Sequence, residues 1–147
     1  MNRIEMINQI KVKKLTENAK TPTKAYEGDL GYDLYSVETV VIKPNEKPKT
    51  IRTGISLELP MGYGCFIKDR SSLASEGLHI LGGVIDNGYR GEILIKIVNL
   101  SDKPITLVEG SKIAQFVIIP IFDFGVVEVN MLSDSERNEK GFGSSGI

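Results

Sequence analysis

The sequence predicts an all-β domain, and three compositional observations support that prediction. Val and Ile together number 29 of the 147 residues, whereas Ala numbers only four. β-Branched side chains fit a pleated sheet, whereas Ala favours a helix. Fifteen Gly and six Pro supply many turns. Short apolar segments separated by such turns are typical of a sandwich, a jelly roll or a barrel.

In the first half of the chain, alternating or β-branched segments end at Gly or Pro. These segments predict the strands Gln9–Lys13, Val37–Ile42, Lys47–Thr53, Ile55–Leu59 and Cys65–Lys68. Gly54 separates the third strand from the fourth, and we expect a bulge or a turn there. The segment Thr21–Asp33 is rich in Gly, Pro, Asp and Thr, and is predicted to be a loop.

The second half contains one credible helical turn, Ser71–Glu76, which Gly77 closes. An apolar segment follows from Leu78 to Ile85, and a Gly-Gly pair interrupts it. The next four residues, Asp86–Tyr89, include Asn-Gly and predict a turn. The remaining strands are predicted at Glu92–Asn99, Ile105–Val108, Ile113–Ile119 and Val126–Val129.

The charge balance and the rare residue types exclude several classes of protein. Eighteen Lys and Arg against 19 Asp and Glu give a net charge of −1, so neither nucleic acid nor a membrane surface is expected as a partner. A single Cys excludes an internal disulfide and a Cys-based zinc site within one chain, and a single His argues against a His-rich metal site. The longest apolar run, Phe116–Phe122, is far shorter than the ~20 residues of a membrane span. We therefore expect a soluble, cytoplasmic protein.

The last residues form a Gly- and Ser-rich tail with the sequence GFGSSGI. Such a segment is either a frayed terminus or an arm that becomes ordered on a ligand. In the second case, successive backbone N–H groups form an anion-binding nest to which Ser144 and Ser145 add hydroxyl donors. We predict a domain over residues 1–132 and a flexible arm over 133–147.

Five separated segments resemble, in order and spacing, the five motifs of the homotrimeric dUTPases. They are Gly31–Leu34, Asp69–Ala74, Gly83–Gly91, Gly110–Gln115 and Arg137–Gly146. The resemblance extends from about Ile10 to the end of the chain. It implies a jelly-roll-like β-barrel and hydrolysis of dUTP to dUMP and pyrophosphate, which limits uracil in DNA and supplies dUMP for dTMP synthesis. It also implies a homotrimer whose active sites combine motifs from several chains, with the arm closing a neighbour's site.

The resemblance assigns roles around the nucleoside. Asp86 matches the aspartate that orients and deprotonates the attacking water. Tyr89 matches the ring under the deoxyribose, which leaves no space for a 2′-hydroxyl. Uracil is expected to meet backbone groups of a hairpin and of the strand opposite it: Gly83, Val84, Ile85 and Leu94.

The resemblance also assigns residues to the triphosphate. Those of the second and fourth motifs are Arg70, Ser71, Ser72 and Gln115. The arm would add Arg137 at the γ-phosphate, Phe142 stacked on uracil, and the phosphate-binding end at Gly143 and Ser144. Mg²⁺ is the implied cofactor, and Asp33 would reach it through water because Mg²⁺ retains several waters beside phosphate oxygens.

Six positions depart from the family pattern: Leu30, Asp69, Ser72, Ile80, Asn138 and Lys140. Asp69 stands where Pro is commoner, and its carboxylate would repel a triphosphate unless it points away. Ile80 stands where many members carry an amide, and Lys140 stands where Gly is common. Cys65 and His79 match no catalytic position, and are interpreted as a buried thiol and a strand residue.

Other functions were weighed against hydrolysis of dUTP. A dCTP deaminase of the same fold would need a glutamate ten residues after Asp86, where Lys96 stands. A dUTP-binding regulatory protein with a protein partner is a second alternative, although an intact Asp86 favours turnover. A serine hydrolase is disfavoured because the sequence has no G-x-S-x-G motif.

Overall fold

The computed structural model describes residues 8–146 and shows a nearly all-β chain with one short helix. The strands of the first half are β1 (Lys11–Lys14), β2 (Tyr32–Tyr35), β3 (Val40–Ile42), β4 (Lys49–Glu58) and β5 (Tyr63–Lys68). The helix α1 (Ser71–Ser75) precedes β6 (Leu78–Leu81), β7 (Val84–Ile85), β8 (Glu92–Asn99), β9 (Ile105–Leu107) and β10 (Lys112–Pro120).

The strands form two four-stranded sheets and one two-stranded ribbon, all paired antiparallel. The first sheet has the order β1-β4-β8-β6, the second β2-β10-β5-β7, and β3 pairs with β9. One apolar core joins them, with Ile51, Ile93 and Ile95 from the first sheet and Leu34 and Phe116 from the second all buried. The predicted fold class is therefore confirmed.

The glycines divide the strands largely as the sequence indicates. Gly54 has φ +66° and lies inside a single strand, β4, where the pairing with β8 shifts register between Arg52 and Ser56. The bulge interpretation is therefore correct, and two separate strands are not formed. Gly82 and Gly83 have φ of +69° and +89° and separate β6 from β7, as predicted.

One predicted loop extends two residues too far, and one predicted strand is wrong. The loop predicted over Thr21–Asp33 overlaps strand β2, which forms because it pairs with β10 and because the Tyr32 ring stacks on Phe116 at 5.0 Å. The strand predicted at Val126–Val129 is absent from the ladders of residues 8–146. Val126 is fully exposed, and this segment has no strand partner within the described part of its own chain.

Helix α1 has only five residues, and no helix within residues 8–146 is long and apolar enough to cross a membrane. Cys65 is buried and His79 lies in β6, as interpreted from the sequence.

Candidate active site

Three of the predicted phosphate-site elements meet because of strand register. In the second sheet Gln115 of β10 lies opposite Asp33 of β2 on one side and opposite Lys68 of β5 on the other. The chain leaves β5 at Lys68, and only Asp69 and Arg70 separate β5 from helix α1. The first, second and fourth motifs therefore converge at one end of this sheet.

These residues line an open cleft of about 540 Å³, which we call the phosphate cleft. Asp33, Arg70, Ser71 and Gln115 are the predicted site residues in its wall. Ser72 follows Ser71 in the helix and is exposed, but it is not part of that wall. The cleft is thus the part of the molecule where the predicted triphosphate residues come together.

Asp33 holds two cations in this cleft. Its Oδ1 lies 3.3 Å from Nε of Arg70, and its Oδ2 lies 3.0 Å from Nζ of Lys112. The Asp33 side chain is 14% exposed, whereas those of Arg70 and Lys112 are 28% and 36% exposed. Ion pairs as open as these are typically worth no more than about 1 kcal/mol, so a polyphosphate can compete for both cations.

Lys112 is a site residue that the sequence analysis did not single out. It lies within the fourth motif, three positions before Gln115, and the β2–β10 register shifts between Lys112 and Ala114. The bulge changes the side-chain alternation that a regular strand would impose, and Lys112 reaches the same carboxylate as Arg70. A lysine within a strand gives no sign of this in the sequence, because the placement depends on the register of another strand.

Gln115 and Asp69 are linked in the cleft wall. Nε2 of Gln115 donates to the main-chain oxygen of Asp69 at 2.8 Å. The Asp69 carboxylate turns toward β6, where it accepts from the Ile80 N–H at 2.7 Å and contacts Nδ1 of His79 at 2.7 Å. The Asp69 carboxylate is thus bonded to β6, although Asp69 itself is among the residues that line the cleft.

The residues predicted to bind the nucleoside lie beside a different part of β5. In the β7–β5 ladder Ile85 lies opposite Cys65 and Val84 opposite Phe66, and the Ile67 N–H donates to the Gly83 carbonyl at 2.7 Å. The hairpin from Gly83 to Ile85 is therefore fixed along β5. Ile80 itself is buried in the core, so its side chain is not available to a base.

Asp86 follows β7 and is exposed at the start of a turn in which the Tyr89 N–H donates to the Asp86 carbonyl at 3.1 Å. Asn87 holds this turn in place. Its Nδ2 donates to the carbonyls of Pro60 and Tyr63 at 2.9 and 2.8 Å. The sequence analysis took Asn87 only as a turn residue, because its partners are more than 20 positions away.

Tyr89 presents its ring at the surface with 42% exposure. Its hydroxyl donates to the Glu92 carbonyl at 2.8 Å, and the ring edge fills the space beside Gly91, where a Cβ would approach the hydroxyl to 2.5 Å. Leu94 is also exposed, because β8 alternates buried and outward residues. Both residues are accessible to a ligand.

A single chain does not bring the residues predicted for the nucleoside together with those predicted for the triphosphate. Asp86, Val84 and Ile85 line a separate cleft of about 190 Å³ beside Cys65, and it shares no lining residue with the phosphate cleft. Strands rise about 3.3 Å per residue, so Cys65 and Lys68 are roughly 10 Å apart along β5. Within one chain, the proposed base and the phosphate cleft lie at different places on this strand.

The C-terminal residues stay apart from both clefts. Arg137 and Lys140 bond to each other, with Nε of Arg137 on the Lys140 carbonyl at 2.8 Å and the Lys140 N–H on the Arg137 carbonyl at 3.1 Å. Phe142 is fully exposed, Gly143 has φ +76°, and the Ser144 N–H donates to the Gly141 carbonyl at 2.9 Å. The four arm residues assigned to the substrate are therefore not assembled with the other site residues in one chain.

No group of three or more Asp, Glu, His or Cys side chains suited to a metal ion occurs within residues 8–146. Asp33 pairs its carboxylate with both cations of the phosphate cleft, and Asp29 and Asp69 also line that cleft. This donor set suits a Mg²⁺ ion held by phosphate oxygens and water, with Asp33 reaching one of those waters.

Comparison with known proteins assigns the chain to a family. The family model described as dUTPase matches residues 17–146, and the chain belongs to the dUTPase family. The deoxyuridine 5′-triphosphate nucleotidohydrolase of Clostridioides difficile is 46% identical over 141 residues, covering 94% of this chain and 98% of that protein. The corresponding protein of a Hydrogenobaculum species is also 46% identical, over 92% of this chain and 96% of its own length.

Solved structures agree with this assignment. The dUTPase of Staphylococcus bacteriophage 80alpha with dUPNHPP superposes with a TM-score of 0.88 at 35% identity, covering 95% of this chain and 99% of that one. A mutant dUTPase of phage phi11 of S. aureus, described with a structural Mg(II) ion, gives a TM-score of 0.79 at 30% identity, over 86% of this chain and 100% of its own.

Proposed function

We propose that this protein is a dUTP diphosphatase, which hydrolyses dUTP to dUMP and pyrophosphate by attack of water on the α-phosphorus. The observation that carries the proposal is the phosphate cleft, in which three of the five motifs bring Asp33, Arg70 and Gln115 together. The chain in which it occurs is a member of the dUTPase family. Relatives named for this reaction match nearly the whole chain.

In the proposed reaction the exposed Asp86 carboxylate accepts the proton of the attacking water, and Asn87 keeps its turn in place. Negative charge grows on the leaving pyrophosphate as the bond to the α-phosphorus breaks. Arg70 and Lys112 neutralise that charge, and Gln115 donates to phosphate oxygens. A bound Mg²⁺ would supply further neutralisation, with Asp33 orienting one of its waters.

Selection of the nucleoside falls to Tyr89 and to the hairpin Gly83–Ile85. The Tyr89 ring would pack under the deoxyribose and leave no room for a 2′-hydroxyl. Its hydroxyl bonds to the Glu92 carbonyl, and Gly91 leaves the space that the ring edge occupies. The backbone of the hairpin Gly83–Ile85 would read uracil, with Leu94 beside it. Ile80 is excluded from base contact by its burial.

We further propose a homotrimer whose sites combine the phosphate cleft of one chain with Asp86 of another. The separation of these groups along β5 supports this arrangement. So does the apolar segment after β10, since monomeric proteins rarely expose so much apolar surface. Its exposed residues are Ile121, Phe122, Phe124, Val126, Val127, Val129, Met131 and Leu132.

Subunit mixing tests the shared site. Asp86→Asn and Arg70→Ala chains, each inactive alone, are denatured together and refolded. If each site takes Asp86 and Arg70 from different chains, some sites in mixed trimers receive two intact residues, and dUTP turnover returns. Failure to recover activity in trimers shown by native mass spectrometry to be mixed means that both residues belong to one chain's site.

The arm 133–147 would close such a site, with Phe142 on uracil and with Arg137, Gly143 and Ser144 on the phosphates. Its hydrogen bonds within residues 8–146 run inside the arm, which leaves these groups available to a ligand or a neighbour. A cytoplasmic location is proposed with this function, because the substrate is a nucleotide.

The experiment that tests the function is a product assay with Mg²⁺ across dUTP, dCTP, dTTP and UTP. Release of dUMP and pyrophosphate from dUTP, with little turnover of the other nucleotides, is the expected result. Ammonia release from dCTP without pyrophosphate from dUTP would instead identify the deaminase. The exposed Lys96, at the position where that enzyme needs a glutamate, argues against this outcome.

A further inference from the structure

Asp69 makes three contacts that link separate elements of the chain. Oδ1 accepts from the Ile80 N–H at 2.7 Å, and Oδ2 lies 2.7 Å from Nδ1 of His79, so both oxygens face β6. Its main-chain oxygen accepts from Nε2 of Gln115 at 2.8 Å. One residue thus joins the loop after β5 to a strand of the first sheet and to β10 of the second.

Besides Asp69, two contacts hold this loop and the helix that follows it: Leu73 is partly buried against the core, and Arg70 pairs with Asp33. Helix α1 contains no buried residue, and its N-cap residue, Arg70, makes no side-chain capping bond. Arg70 reaches Asp33 at 3.3 Å and the Lys112 carbonyl only at 3.5 Å. Hydrogen bonds to a carboxylate are about twice as strong as neutral ones, so the 2.7 Å bond from the Ile80 N–H to Asp69 is a strong local restraint on the loop.

We propose that Asp69 is a positioning residue for the phosphate site, and that it acts through Arg70 and Gln115. The carboxylate fixes the loop to β6, and the main-chain oxygen of the same residue orients the Gln115 amide. Because both carboxylate oxygens face β6, Asp69 fills this role without placing its charge on the substrate. The inference rests on the proposed dUTP hydrolysis, and wild-type turnover of dUTP tests that premise separately.

The test compares Asp69→Ala with Asp69→Asn, and with Asp102→Ala as an exposed aspartate outside both clefts. Loss of the anchor should raise KM for dUTP and weaken inhibition by pyrophosphate about tenfold, the usual scale for a hydrogen bond to a charged group. Inhibition by deoxyuridine, which has no phosphate, should be unchanged. Asn keeps an acceptor for the Ile80 N–H and should restore most of the affinity.

A double-mutant cycle separates positioning from general support. In a Gln115→Ala background the KM effect of Asp69→Ala should shrink, because one of the groups that it orients is gone. His79→Ala removes only the second contact, and His79 is half exposed, so this variant should fold and show a smaller rise in KM. Equal loss of deoxyuridine and pyrophosphate affinity, full additivity with Gln115→Ala, or an Asn variant as weak as Ala would each overturn the proposal.

Discussion

The side-chain amide of Gln115 occupies the space in which a Cβ on residue 31 would stand. A Cβ built at Gly31 overlaps Oε1 and Cδ of Gln115, so the glycine of the first motif makes room for the glutamine of the fourth. Gly31 does not have a positive φ, and its requirement is therefore steric. Two motifs 84 positions apart depend on each other through this contact.

The first prediction is that Gly31→Ala displaces the Gln115 amide and weakens phosphate binding. KM for dUTP should rise by about tenfold, the cost of one hydrogen bond to a charged group. Steady-state kinetics measure it, with Gln115→Ala as the matched background. If the clash is the cause, Gly31→Ala adds little in that background, whereas an undiminished second effect would mean that Gly31 acts elsewhere.

The second prediction concerns sugar selection. Gly91→Ala should push the Tyr89 ring from its place, because a Cβ would lie 2.5 Å from the Tyr89 hydroxyl. The ratio of kcat/KM for dUTP to that for UTP should fall about tenfold, the lower end of the range for one methylene in a pocket. Tyr89→Phe keeps the ring and should hold the ratio within a few-fold. An unchanged ratio in Gly91→Ala would remove the ring from discrimination.

The third prediction is a pH dependence of stability that arises from Cys65. Burial raises the pKa of the Cys65 thiol from 9.0 to about 11, because desolvation disfavours the thiolate. The folded state therefore holds the proton more tightly than the unfolded chain. This contribution to the free energy of unfolding is full below pH 9 and is lost as pH rises toward about 11.

Urea denaturation at pH 8 and pH 10.5 measures this effect. The wild type should lose more stability between the two pH values than Cys65→Ala does. The native thiol should also react slowly with a disulfide reagent at pH 8, and rapidly once the chain is unfolded. An equal loss of stability in both proteins would place the titrating group elsewhere.

The fourth prediction concerns the arm. Truncation after Leu132 should leave the melting temperature nearly unchanged, because residues 133–146 are exposed and their hydrogen bonds run inside the arm. Turnover of dUTP should fall strongly, because base stacking on Phe142 is worth about 1–3 kcal/mol and the phosphate contacts are lost with it. Phe142→Ala is the milder companion variant. Full activity of the truncated protein would mean that the arm is a frayed end.

The sequence was most informative where local chemistry alone decides the structure. β8 was predicted over Glu92–Asn99 from its β-branched residues, and the strand has those bounds. Gly77, with φ +98°, follows the helix where it was expected to do so. In both cases the signal lies within a few residues, and the wider fold agrees with it.

Elements that depend on distant partners could not be predicted in this way. β2 follows a loop-like sequence and exists because β10 lies beside it, with Tyr32 stacked on Phe116. Val126–Val129 has the composition of a strand but no partner in the described part of its own chain. β-Branched residues favour an extended backbone, but a strand also requires a neighbouring strand with which to pair.

The residues of the candidate site likewise divide into those that the sequence identifies and those that depend on distant partners. Asp33, Arg70 and Gln115 were identified through motif order, and the structure brings them to one cleft. Lys112 and Asn87 were missed because their roles depend on a register shift and on two carbonyls more than 20 positions away. Motif matching identifies the residue types that the chemistry needs, whereas the side chains that hold them become visible only in the folded chain.

The central claim is that Asp86 activates a water that attacks the α-phosphorus of dUTP. The most direct measurement is a single turnover of dUTP with Mg²⁺ in ¹⁸O-labelled water, followed by mass spectrometry of both products, for the wild type and for Asp86→Asn. The account predicts one ¹⁸O atom in dUMP, unlabelled pyrophosphate, and a rate about 10²–10⁴-fold lower for the folded Asp86→Asn protein. Label in pyrophosphate, or an Asp86→Asn protein that turns over at the wild-type rate, would contradict it.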